Sequence, residues 1–107
     1  MSDSTVEIRD GVLTKCAGGR VDFVVKLADI RRLKFFKEDH FSQDVVVLGI
    51  EALATDNWFL ICEDEAGWNS VLSLLGEYTR CDLHREMWEA TQPPFEQSER
   101  IVWNRDS

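Results

Sequence analysis

The sequence predicts an α+β domain: an antiparallel strand meander, then one long helix, a second short helix and a terminal strand. Three observations carry this expectation. The first part of the chain is a series of short runs alternating apolar and polar residues, divided by turn signals. At Trp68 the apolar period changes from that of a strand to that of a helix. A short apolar run, ERIVWNR, returns after Pro93-Pro94. Strands in succession followed by helices favour an antiparallel sheet with a helix on one face or plugging one end.

Each element has its own signal. In TVEIR, Val6 and Ile8 share a face, and Asp10-Gly11 is a hairpin turn leading into VLTKC. Gly18-Gly19 turns the chain again. VDFVVKL sets Val21, Phe23, Val25 and Leu27 to one side, with Asp22 and Lys26 on the other. The next strand starts near Ile30 and runs through LKFFK, and EDHFSQD reads as a polar loop. VVVLGI is a continuous β-branched run, expected to be a central strand covered on both faces. WFLIC follows the turn at Asp56-Asn57.

Trp68, Val71, Leu72, Leu75 and Tyr78 then lie along one face of a helix. A second helix, about Asp82 to Thr91, presents Leu83, Met87 and Ala90, and Pro93-Pro94 ends it. In the terminal strand Ile101 and Trp103 are expected on one side. The 107 residues suit a single domain, with residues 1–4 expected to be disordered.

Composition narrows the function. Hydrophobic residues make up 44% of the chain, a globular proportion. No apolar run approaches the roughly 20 residues of a membrane span, and the N-terminus lacks the pattern of a secretory leader. Twelve basic against twenty acidic residues give a net charge of -8. That balance opposes nucleic acid and anionic membranes, and it suits solubility or a basic protein partner. Cys16, Cys62 and Cys81 are odd in number and widely spaced, which fits neither a disulfide framework nor a zinc site. Cys62 reads as a small buried thiol. Reduced cysteines and no leader make the cytoplasm the expected compartment.

The acidic triplet Glu63, Asp64 and Glu65 is expected to cap the first helix: Asp64 as N-cap, its neighbours beside the positive end of the macrodipole. It lacks the ligand spacing of a calcium loop. His40, flanked by Asp39 and Asp44, is the one candidate general base, and it reads more simply as a solvated loop residue. His84 shares a helix face with Trp88, where a metal site would need a second ligand. There is no nucleophile elbow and no phosphate-binding loop. Arg31, Arg32, Lys34 and Lys37 beside Phe35 and Phe36 read as charged strand residues paired with acids. Trp58, Trp68 and Trp103 are expected in the core or at its rim, and Trp88 at the surface.

The elements DVVVLGI, EDEAGW, LHREMWEAT and RIVWNR resemble a family of small bacterial proteins of uncharacterised function. From about Val21 onward the succession matches. The turn Arg80-Cys81-Asp82-Leu83 departs from the Pro-Gly-Phe-Asp-like turn that the family often carries. The meander closed by a helix also looks like a pleckstrin-homology-like half-barrel. That resemblance implies a binding module, with bacterial immunity proteins among its forms, and it brings no catalytic residues or cofactors.

The expected function is therefore a non-enzymatic protein-binding domain, such as an immunity or toxin-inhibitor-like protein, acting through an acidic surface. The candidate surface is Glu86, Trp88, Glu89 and Phe95. The alternative is a small-ligand-binding protein or minor enzyme with a pocket in the half-barrel. No metal or cofactor is implied. A homo-oligomer paired through an edge strand, at Thr5–Arg9 or Ile101–Arg105, is a further expectation.

Overall fold

The computed structural model describes residues 4–40, 43–54, 57–90 and 99–105. The order of elements is β1 (Ser4–Arg9), β2 (Val12–Ala17), β3 (Arg20–Lys26), a single 3-10 turn (Leu27–Asp29), β4 (Ile30–His40), β5 (Gln43–Ala52), β6 (Trp58–Cys62), α1 (Trp68–Thr79), α2 (Leu83–Ala90) and β7 (Arg100–Asn104). Two antiparallel sheets result, in the orders β1-β2-β3 and β6-β5-β4-β7. The fold class is the one expected: α+β, with antiparallel sheets, two helices after the strands and a terminal strand.

The first hairpin turns where Asp10 and Gly11 both adopt positive φ, the geometry that Asp-Gly supplies at least steric cost. Leu13 and Val25 point inward from the three-stranded sheet. From the four-stranded sheet come Leu33, Phe35, Leu48, Ile50 and Ile61, and from α1 come Trp68, Val71, Leu72 and Leu75. These side chains fill the space between the layers. Phe23 stacks on Phe59 at 4.9 Å between ring centroids, joining the two sheets directly.

β5 is covered on both faces, as its β-branched run implies, and every residue from Val45 to Ala52 is buried. Met87 and Ala90 of α2 pack against the core, and Leu83 lies inside it. Tyr78 is more exposed than its helical spacing implies, and its hydroxyl accepts a hydrogen bond from Arg105 Nη2 at 3.4 Å. The same guanidinium donates to the carbonyls of Ile30 at 2.7 Å and Leu27 at 3.1 Å.

Several expectations are corrected. Residues 38–40 and 43–44 are strand rather than loop: Asp39 pairs with Asp44 and His40 with Gln43, extending β4 and β5. Ser4 already belongs to β1.

Three β-bulges account for the misplaced faces. Simple alternation sets Ile30 and Arg32 on one face, but an extra residue between them sends Ile30 into the core and Arg32 outward. A second, at the β2–β3 pairing of Lys15 and Cys16, leaves Val21 61% exposed instead of on the Phe23–Val25 face. A third, between Leu33 and Lys34, sets Trp103 beside Leu33 but Ile101 beside Lys34, so the two lie on opposite faces.

Candidate functional site

α2 carries three of the four expected surface residues; Phe95 lies outside the described residues. With Leu83 and Met87 turned inward, Trp88 points away and is 65% exposed. Glu86 and Glu89 face β7, where both carboxylates lie 3.1 Å from Arg100 Nη2. Arg85 also pairs with Glu89, at 3.3 Å. The structure therefore brings the two acids together around one guanidinium. Their charge is largely answered locally, by Arg100 and Arg85, and the pairs join α2 to β7.

The helix start is built by Asp82. Its Oδ1 accepts the Arg85 N–H at 3.1 Å and its carbonyl accepts the Glu86 N–H at 3.0 Å, an N-cap arrangement. Arg80, in the left-handed region, ends α1. Between the helices lies a cleft of about 350 Å³ lined by Ser73, Gly76, Glu77, Arg80, Asp82 and His84, among others. Across it Ser73 Oγ and His84 Nε2 are 3.3 Å apart. Cys81 borders the cleft, and burial, then Glu86 and Asp82, push its thiol up.

The acidic triplet does not cap α1. The N-cap is Gly67, with no side-chain cap, and the first turn holds no acid. Glu63 instead extends β6: its N–H bonds to the Val46 carbonyl and its carboxylate accepts the Val46 N–H, each at 3.0 Å. Asp64 is exposed. Glu65 is buried, accepts the Cys62 N–H, and lies 3.1 Å from Lys15 Nζ. Before the helix begins, Ala66 pairs with β1, giving its carbonyl to the Val6 N–H at 2.8 Å. Gly67 then has φ 93°, and a Cβ there would collide with the Val6 carbonyl. The docking of chain 65–67 onto β1 thus displaces the helix start beyond reach of the acids.

The outer face of the four-stranded sheet holds a constellation not foreseen from the sequence. Lys34 Nζ lies 4.2 Å from the Trp58 ring centre, and the Arg32 guanidinium lies 5.4 Å from it. Arg32 makes a two-pronged contact with Glu51, at 2.6 and 2.8 Å. That hydrogen bond holds the Glu51 carboxyl below its ordinary range, against the opposing effect of burial. Lys34 also pairs with Glu99, at 3.1 Å. The cations are paired with acids as expected, but Trp58 is a platform for them and not a core residue. Gly49 is the missing signal: its bare backbone makes room for both Lys34 and Trp58.

His40, Asp39 and Asp44 sit at the far end of the β4–β5 hairpin as paired strand residues. The three cysteines are free thiols, and Cys62 is half-buried rather than fully enclosed. Among the described residues, no group of His, Cys, Asp and Glu could hold a metal ion, and no helix is long and apolar enough to cross a membrane. Comparison with protein-family models, curated proteins and solved structures returns no match. Neither the bacterial family nor the pleckstrin-homology-like half-barrel is thereby supported by relatedness.

Proposed function

We propose that this chain is a non-enzymatic protein-binding domain with a basic partner, anchored at Trp88; an immunity or toxin-inhibitor protein is one form of that role. The observation that supports the reading is the exposure of Trp88 on a helix whose other face packs on the core through Leu83, Met87 and Ala90. Tryptophan is the residue most enriched among binding hot spots, where its large ring is desolvated. Glu86 and Glu89 serve to hold α2 through Arg100. Attraction of a basic partner comes from the net charge of -8 as a whole.

Affinity capture with the tagged chain and its Trp88→Ala variant, at low and moderate salt, tests this. A basic protein retained by the wild type, released by salt and lost from the variant is the expected result. Equal capture by both chains removes Trp88 from the surface, and capture by neither removes stable protein binding.

The alternative, a small-ligand or minor enzymatic role, is favoured by the Ser73–His84 contact in the cleft between α1 and α2. A serine nucleophile also needs a group orienting the imidazole and donors for the oxyanion, so a bound polar ligand fits this cleft better. Ligand-induced shifts of the His84 ring resonances would support it.

A further inference from the structure

We infer that Arg100 is a positioning residue for Trp88: reaching from β7, it bridges two turns of α2 and holds the end of the helix that presents the indole. The strand register puts it there. Arg100 stands opposite Phe35 in the β4–β7 pairing, and Phe35 is fully buried, with its ring edge-on to Trp68 of α1. Residues directly opposite in a strand pair share a face, so Arg100 emerges on the helix side of the sheet. The bulge in this pairing lies between Leu33 and Lys34, beyond the Phe35–Arg100 position. There Arg100 Nη2 lies 3.1 Å from Glu86 Oε2 and 3.1 Å from Glu89 Oε2. Trp88 is the residue beside Glu89.

The two ends of α2 are held differently. The helix has only eight residues, too few to be stable alone. Its first turn is anchored by the fully buried Leu83 and capped by Asp82. Trp88 belongs to the last turn, where Met87 and Ala90 are only partly buried. Arg100 supplies the ion pairs that tie this turn to the sheet. It also separates two like charges one helical turn apart, and it offsets Glu89 at the negative end of the helix dipole. Without Arg100 both effects work against the last turn. An anchor already held in place loses less freedom on binding, so Arg100 acts on affinity through Trp88 without touching the partner. The effect on affinity rests on the reading of Trp88 as the anchor; the effect on Trp88 itself does not.

Nuclear magnetic resonance of the chain alone tests the inference. The Trp88 indole signal is assigned by its loss in Trp88→Phe. Arg100→Ala should lower the heteronuclear Overhauser effect of that indole N–H. It should also speed hydrogen exchange at the amides of Trp88, Glu89 and Ala90 by about fivefold, with the α1 amides unchanged. Arg100→Lys, a point charge in place of a fork, should fall between. The pair Glu86→Gln with Glu89→Gln leaves β7 intact and should loosen the same turn. An unchanged Trp88 signal and unchanged exchange in these variants overturn the inference. So does equal loosening of α1, which would mark general destabilisation. Affinity capture then separates this from the role of Trp88. Loosened variants that release a captured basic protein faster than the wild type support both. Loosened variants that hold it equally well uphold Arg100 and remove Trp88 as the anchor.

Discussion

The Lys15 ammonium lies 3.1 Å from the Glu65 carboxylate, and together the two side chains close the open edge of β6. Both are nearly buried, at 13% and 4% side-chain exposure. Lys15 Nζ donates to the Leu60 carbonyl at 3.0 Å, while Glu65 accepts the Cys62 N–H. Leu60 and Cys62, two residues apart, direct these groups to the side of β6 away from β5. An unsatisfied sheet edge is thereby occupied from within the molecule. Removing one partner leaves a buried charge uncompensated, so Lys15→Met or Glu65→Gln should cost about 3–5 kcal/mol in denaturant unfolding. The double variant Lys15→Met/Glu65→Leu should recover only part, since two backbone groups remain unmet. Single variants within about 0.5 kcal/mol of wild type would show the pair to be incidental.

Gly67→Ala should destabilise by about 2–4 kcal/mol, from positive φ combined with collision against the Val6 carbonyl. Thermal unfolding measures it. Gly18→Ala is a useful control: φ is also positive there, but nothing lies near the added methyl, so its loss should be the smaller.

The two candidate helix caps separate cleanly. Asp82→Ala removes an acceptor for the Arg85 N–H and should cost about 1 kcal/mol. Asp64→Ala touches no cap and should change stability by less than about 0.5 kcal/mol. Equal losses would mean that Asp64 engages α1 after all.

Burial, and then Glu65 beside it, push the Cys62 thiol up from its ordinary 9.0 to about 11. At neutral pH the native protein should hold roughly a hundredfold less Cys62 thiolate than the unfolded chain, so alkylation should accelerate sharply on denaturation. The native state holds this proton more tightly, so the contribution to stability is full below pH 9.0 and lost as pH rises through about 11. The stability difference between wild type and Cys62→Ser should shrink over that window. Native alkylation following an ordinary thiol profile would contradict this.

Much of the fold was legible because strand, turn and helix signals agreed locally. Asp10-Gly11, the alternation of TVEIR and the helical spacing of Trp68, Val71, Leu72 and Leu75 all led to the observed elements. The misplaced strand faces share one cause. A bulge inserts a residue into a strand and reverses every face beyond it, which no count of alternating residues reveals. Thus Ile30 parted from Arg32, and Ile101 from Trp103. The capping expectation for Asp64 failed for a different reason: pairing of Ala66 with β1 is a contact between residues far apart in sequence. At the candidate surface, the exposure of Trp88 followed from helix spacing, whereas Arg100 as the partner of Glu86 and Glu89 depended on where β7 returns.

The position of β7 beside β4 also bears on how the chain is made. Arg105 reaches back 75 residues to the Ile30 carbonyl, and β7 completes the edge of β4 only then. During synthesis β4 emerges early, and one of its flanks stays open while β5, β6 and both helices are translated. Closure over so long a loop is slow, and an open strand flank invites association. Until β7 and Arg105 are in place, that flank of β4 lacks the strand that covers it in the folded chain.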